Sequence, residues 1–149
     1  MTPQTFDKRH LALRQLETAL DLLEHSDDRF SVITLAGAAD EILGELVRAK
    51  GGIAAVTTFA EAESAIHLHL YNETLPPKYF VDRANRARNT LKHLRGHEGP
   101  TVTFDPAEEA ADMLNRAIDN YWLLTLSLTE PMERFSKRQR VIGDGSVSL

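Results

Sequence analysis

Apolar side chains recur along this chain at intervals of three and four residues, stretch after stretch, and that period leaves room for little but helices. Leu13, Leu16, Leu20 and Leu23 set the pattern, with charged residues between them, and predict an amphipathic helix over residues 6–25. Ser26, Asp27 and Asp28 supply a turn and a capping side chain for a second helix over residues 28–50, which Gly51 and Gly52 stop. Its apolar arc runs through Val32, Leu35, Ala39, Leu43 and Leu46, and Gly37, Asp40 and Gly44 follow one margin of that arc. Two glycines inside a helix cost about 1 kcal/mol each against alanine, so they mark a place where another helix comes close. Asp40 then lies in a half-buried seam, where a carboxylate needs an arginine or an amide beside it, and the polar stripe of residues 79–97 is the natural source.

Val56, Phe59, Ala62, Ile66 and Leu70 predict a third helix over residues 54–71. His67 and His69 are two apart, fall on different faces of it and read as surface histidines rather than a metal pair. Farther on, Asp105, Pro106 and Glu108 form a helix start, with a capping carboxylate, a proline in the first position and a glutamate closing the box. Ala110, Met113, Ala117, Tyr121, Leu124 and Leu128 lie along one stripe of this helix, which is expected to end near residues 129–131 with one more turn to Phe135. Tyr121 and Trp122 read as core or interface packing. Only residues 101–104 alternate in character, as a short extended segment. The expected fold is all-α, an up-and-down bundle of four to five helices in a single domain over residues 1–135, followed by a polar tail over residues 136–149 with bases at Lys137, Arg138 and Arg140.

A chain of 149 residues holds one domain and buries enough surface to fold without staples. The absence of cysteine excludes disulfides, thiolate metal sites and cysteine nucleophiles. Charge interrupts every long apolar run and the first ten residues carry no signal-peptide core, so the expectation is a soluble cytoplasmic protein with no membrane partner. The net charge of −5 argues against bulk nucleic-acid binding but leaves room for a local basic cleft.

Such a cleft is encoded after Pro76 and Pro77, where a helix is predicted to run on to Gly96. Between Lys78 and Arg95 there are six bases, Lys78, Arg83, Arg86, Arg88, Lys92 and Arg95, against Asp82 alone. On a helical wheel Tyr79, Asp82, Arg86, Asn89, His93 and His97 fall in one polar stripe, while Phe80, Ala84, Ala87, Leu91 and Leu94 gather opposite. Arg88 and Arg95 sit at the margin of the apolar face. A stripe of this kind suits a phosphate-bearing ligand.

Within it, Arg88-Asn89-Thr90-Leu91-Lys92-His93 reads as arginine, a polar residue, three variable positions and histidine. This pattern, late in an all-helical chain and after the alanine-rich second helix with its acid, resembles the HEPN superfamily (higher eukaryotes and prokaryotes nucleotide-binding). The resemblance spans most of residues 6–130. It implies a helical bundle that forms a symmetric dimer, bringing two motifs into one cleft, and many members are metal-independent endoribonucleases. Others bind ligands without catalysis or act as toxins paired with a nucleotidyltransferase-like antitoxin.

The chemistry agrees with the resemblance. Metal-free RNA cleavage needs a base for the 2′-hydroxyl, an acid for the leaving 5′-oxygen and a cation on the phosphate. Two copies of one histidine supply the acid and the base. His93 is accordingly the expected proton-transfer residue, Arg88 the phosphate clamp and Asn89 a positioning group, with Arg83, Lys92 and Arg95 as further RNA contacts and Asp40 in support. On an ideal helix Arg88 and His93 point about 140° apart, whereas Arg86 shares the face of His93 and is a second candidate for the clamp.

Other readings compete. His93 and His97, with Glu98, Asp40 and Glu41, offer oxygen and nitrogen ligands for a metal, but the paired Glu-x-x-His signature of carboxylate-bridged bundles is missing. Gly96 to Gly99 lacks the lysine and the preceding strand of a phosphate loop. No cofactor is expected. The alternative to the nuclease is a non-catalytic HEPN-like module that binds a nucleotide, a nucleic acid or a protein, or a bundle that only dimerises.

Overall fold

The computed structural model describes residues 1–93 and 99–145, and among these every regular element is a helix. In order they are α1 (Lys8–His25), α2 (Arg29–Ala49), α3 (Ala55–Tyr71), α4 (Pro77–Ala84), α5 (Arg86–Lys92), α6 (Pro106–Thr125) and α7 (Glu130–Gly145). None is long and apolar enough to cross a membrane.

The starts follow the capping logic of the sequence. Asp7 accepts from the amides of Arg9 and His10, Asp28 from that of Ser31, and Asp105 from those of Ala107 and Glu108. α1 and α2 pack side by side across a connection of residues 26–28, which makes them antiparallel neighbours. α2 is the central rod, covered by α1 on one flank and α6 on another. Leu16, Leu20, Ile33, Leu43, Met113 and Leu114 fill the core between these three, and Met132 and Phe135 of α7 close one end of it.

Four expectations change. The single helix expected from residue 77 to Gly96 is two helices, parted at Asn85, and the second ends at Lys92 with His93 in extended conformation. Residues 94–98, which include Leu94, Arg95, Gly96, His97 and Glu98, lie outside the described residues. The apolar stripe of α3 does not face the core: Phe59, Ile66 and Leu70 are exposed, and only Ala55 and Ala60 are buried. His67 is half-buried, its ring 4.8 Å from Tyr71 and 5.9 Å from Phe80. The expected polar tail from Ser136 continues α7 as far as Gly145, after a break in which Leu126 takes a left-handed conformation with φ of 55°.

Candidate functional site

Although the predicted helix is broken, its polar stripe stays together. Lys78, Tyr79, Asp82 and Arg83 from α4, and Arg86, Asn89, Thr90 and His93 from α5 and its end, line one groove of about 730 Å³. Lys78 pairs with Asp82 at 2.5 Å. Arg83 and Arg86 form no ion pair among the described residues, so the groove keeps positive charge, whereas Lys92 is exposed but does not line it. His93 ends α5, its amide donating to Asn89 O at 3.0 Å, and its side chain is exposed on the groove wall.

Arg88 is not part of this groove. It is 9% exposed and turns inward to α2, where it donates to Gly37 O at 3.4 Å and lies 3.8 Å from Glu41 and 4.0 Å from Asp40. Gly37 makes the approach possible, because a Cβ there would stand 2.6 Å from Arg88 Cγ and nearer still to Cδ. Asn89 joins the two environments: it lines the groove, and its Oδ1 accepts from Arg88 Nε and one terminal nitrogen, each at 3.4 Å. Within one chain, therefore, Arg86 and Arg83 share a surface with His93, and Arg88 supports that surface from behind.

Asp40 finds both kinds of partner expected of it. Its direct arginine, however, comes from α6: Arg116 donates to its Oδ2, Asn120 donates to its Oδ1 at 2.9 Å, and Arg88 of the polar stretch stands farther off. Burial pushes the Asp40 carboxyl above its ordinary value, against the pull of Arg116 and Arg88. Arg116 also donates to Ala84 O at 3.0 Å and Asn85 Oδ1 at 2.8 Å, so it holds the junction where α4 and α5 part. Arg116 and Asn120 did not stand out in sequence. The signal was present: they are four apart on α6, each one residue ahead of a member of its apolar stripe.

A second hollow, a cleft of about 810 Å³, opens between α3, α4 and α6. Its walls carry the carboxylates of Glu63, Glu108, Glu109, Asp112 and Asp119 beside Phe59, Phe80, Trp122 and Leu123. Burial raises the Asp112, Asp119 and Glu109 carboxyls, and neighbouring Glu108 adds to the shift at Asp112 and Glu109. Trp122, expected in packing, stands 46% exposed at this cleft, whereas Tyr121 is half-buried against the core. Arg83 lines both hollows.

For the metal reading, His97 and Glu98 lie outside the described residues, and Asp40 is engaged by Arg116 and Asn120. Among the described residues no three His, Asp or Glu side chains gather as a metal site. Comparison with protein-family models, with curated proteins and with solved structures finds no match to this chain, so its function is argued from its own residues.

Proposed function

We propose that this chain is a HEPN-like, metal-independent endoribonuclease acting as a dimer in which two basic grooves meet. The observation that carries the reading is the placing of His93 on one groove wall with Arg86 and Arg83. The guanidinium groups hold a phosphodiester, and one imidazole takes the 2′-hydroxyl proton. Among the described residues a single groove has one exposed histidine, so the leaving 5′-oxygen is protonated by His93 of a second copy. The phosphate clamp passes from Arg88 to Arg86, with Arg88 and Asn89 fixing the end of α5 on which His93 stands. A toxin paired with an antitoxin is one setting for such an activity.

The second reading, a module that binds RNA or a nucleotide without cutting it, draws on the burial of Arg88 away from the groove. One experiment separates them. Purified protein is incubated with a mixed RNA pool in the presence of a chelator, beside His93→Ala and Arg86→Ala. The nuclease reading expects cleavage leaving 2′,3′-cyclic phosphate ends, with each variant slowed by about a hundredfold or more. Cleavage that survives His93→Ala, or that stops on adding chelator, overturns the mechanism. Retained RNA without cleavage, weakened by Arg86→Ala, establishes the binding module.

A further inference from the structure

Besides its charge, the basic groove carries a ring. Tyr79 lines it together with Arg83, Arg86 and His93, and is 49% exposed. Its neighbour Phe80 is buried, and the two ring centroids are 5.2 Å apart with the planes at 86°. An edge-to-face contact of this kind steadies the Tyr79 ring and leaves at least one of its faces uncovered. By contrast Trp122, exposed on α6, stands among Asp112 and Asp119, whose charge repels a phosphate backbone.

The charges beside Tyr79 are arranged to match. Asp82 is paired with Lys78 at 2.5 Å, so the acid next to the ring is neutralised. Arg83 and Arg86 follow about one and two turns on. Although α4 and α5 part at Asn85, its amide donates to Val81 O at 3.1 Å and the Asn89 amide donates to Asn85 O at 2.9 Å, so the rise stays close to that of a helix. Tyr79 therefore lies about 10 Å along the groove from Arg86, with Arg83 between them. The order along the wall is ring, guanidinium, guanidinium, imidazole.

We propose that Tyr79 is the platform on which a base of single-stranded RNA stacks, so that the groove takes an unpaired strand in preference to a duplex. The platform rests on the groove being the RNA site proposed above, and serves it equally whether the strand is cut or only held. Arg86 and His93 meet one phosphodiester, Arg83 the next phosphate toward Tyr79, and the ring a base beside it. A base offers a free face only where the strand is unpaired and its stack is opened, whereas in a duplex both faces are covered. Every base has such a face, so the site is tolerant of sequence.

The test uses a short 2′-O-methyl oligoribonucleotide, which lacks the attacking hydroxyl and stays uncut, titrated by fluorescence anisotropy. Three forms are compared: the single strand, the same backbone without bases, and the strand annealed to its complement. On the single strand Tyr79→Ala is expected to lose about tenfold in affinity, and Tyr79→Phe, which keeps the ring, to recover it to within about twofold of wild type. On the baseless backbone wild type and Tyr79→Ala should bind alike, which is itself evidence that the variant is folded. The duplex should bind more weakly than the single strand. Arg86→Ala separates this inference from the one beneath it. If wild type does not bind the single strand, or Arg86→Ala binds it undiminished, the groove is no RNA site and the platform falls with it. If Arg86→Ala weakens binding but Tyr79→Ala does not, or Tyr79→Ala weakens the baseless backbone equally, or the duplex binds as tightly as the single strand, the platform alone is overturned.

Discussion

Gly37 and Arg88 divide a space too small for a larger residue at position 37. The added carbon of Gly37→Ala would fall on the middle of a buried side chain, not its free end, so Arg88 must leave Gly37 O, Asp40 and Glu41 to make room. The expected cost is about 1–3 kcal/mol, read as a lower denaturation midpoint, with far-ultraviolet circular dichroism unchanged. A midpoint equal to wild type would show that Arg88 moves without loss and is no fixed part of the seam. At this scale the sequence was informative in one direction only. The strip of Gly37, Asp40 and Gly44 announced a close approach, and a Cβ added at Gly44 would indeed stand 3.4 Å from both Ala54 Cβ and Asn120 Nδ2. Which arginine would meet Asp40 was hidden, because Arg116 is 76 positions away and several arginines carry the same charge. The role of Arg88 was obscured for a related reason: a motif names residue types at intervals, while the fold decides which of them face inward.

Among the elements, α3 is the one held least by its own sequence. Its cap position is Ala54, with no side chain to accept a hydrogen bond, and the amide of Ala55 is met instead by Asn120 Oδ1 of α6 at 2.8 Å. Asn120 is fully buried and also donates to Asp40, so one side chain fixes α3 to α6 and α6 to α2. Asn120→Ala is expected to cost about 1–3 kcal/mol, because it leaves a buried amide and a buried carboxylate oxygen short of partners. Hydrogen exchange should locate the change: amides of α3 lose protection more than those of α1 and α2. Uniform loss across the helices would deny Asn120 this local role. Periodicity identified α3 correctly as a helix and found its apolar side, but a period cannot say what covers that side, and among the described residues Phe59, Ile66 and Leu70 stay exposed. The parting of α4 from α5 escaped notice for the opposite reason. Residue 85 is neither glycine nor proline, and the groups that hold the junction come from Arg116, distant in sequence.

Over the whole molecule, charge is sorted rather than spread. Bases collect on α4 and α5, while α6 presents Glu108, Asp112 and Asp119 on its outer side, a pattern that the net charge of −5 conceals. Asp112 and Asp119 have folded values raised from 3.8 by burial, so the folded chain holds their protons more tightly than the unfolded chain does. Between 3.8 and those raised values their contribution to stability therefore falls as pH rises, and above them the loss is complete. Replacing both by asparagine should make the monomer more stable than wild type at pH 7, with the advantage shrinking as pH drops toward 3.8. Thermal midpoints at dilutions where the chain is monomeric measure it, and an advantage independent of pH would remove these two carboxyls as its source.

Arg83 stands on the ridge between the two hollows and lines both. One cation shared by a basic groove and an acid-lined cleft makes any occupancy of the two a matter of thermodynamic linkage. If the groove takes phosphate as proposed, whatever factor filling the cleft imposes on that affinity, filling the groove must return to the cleft in equal measure.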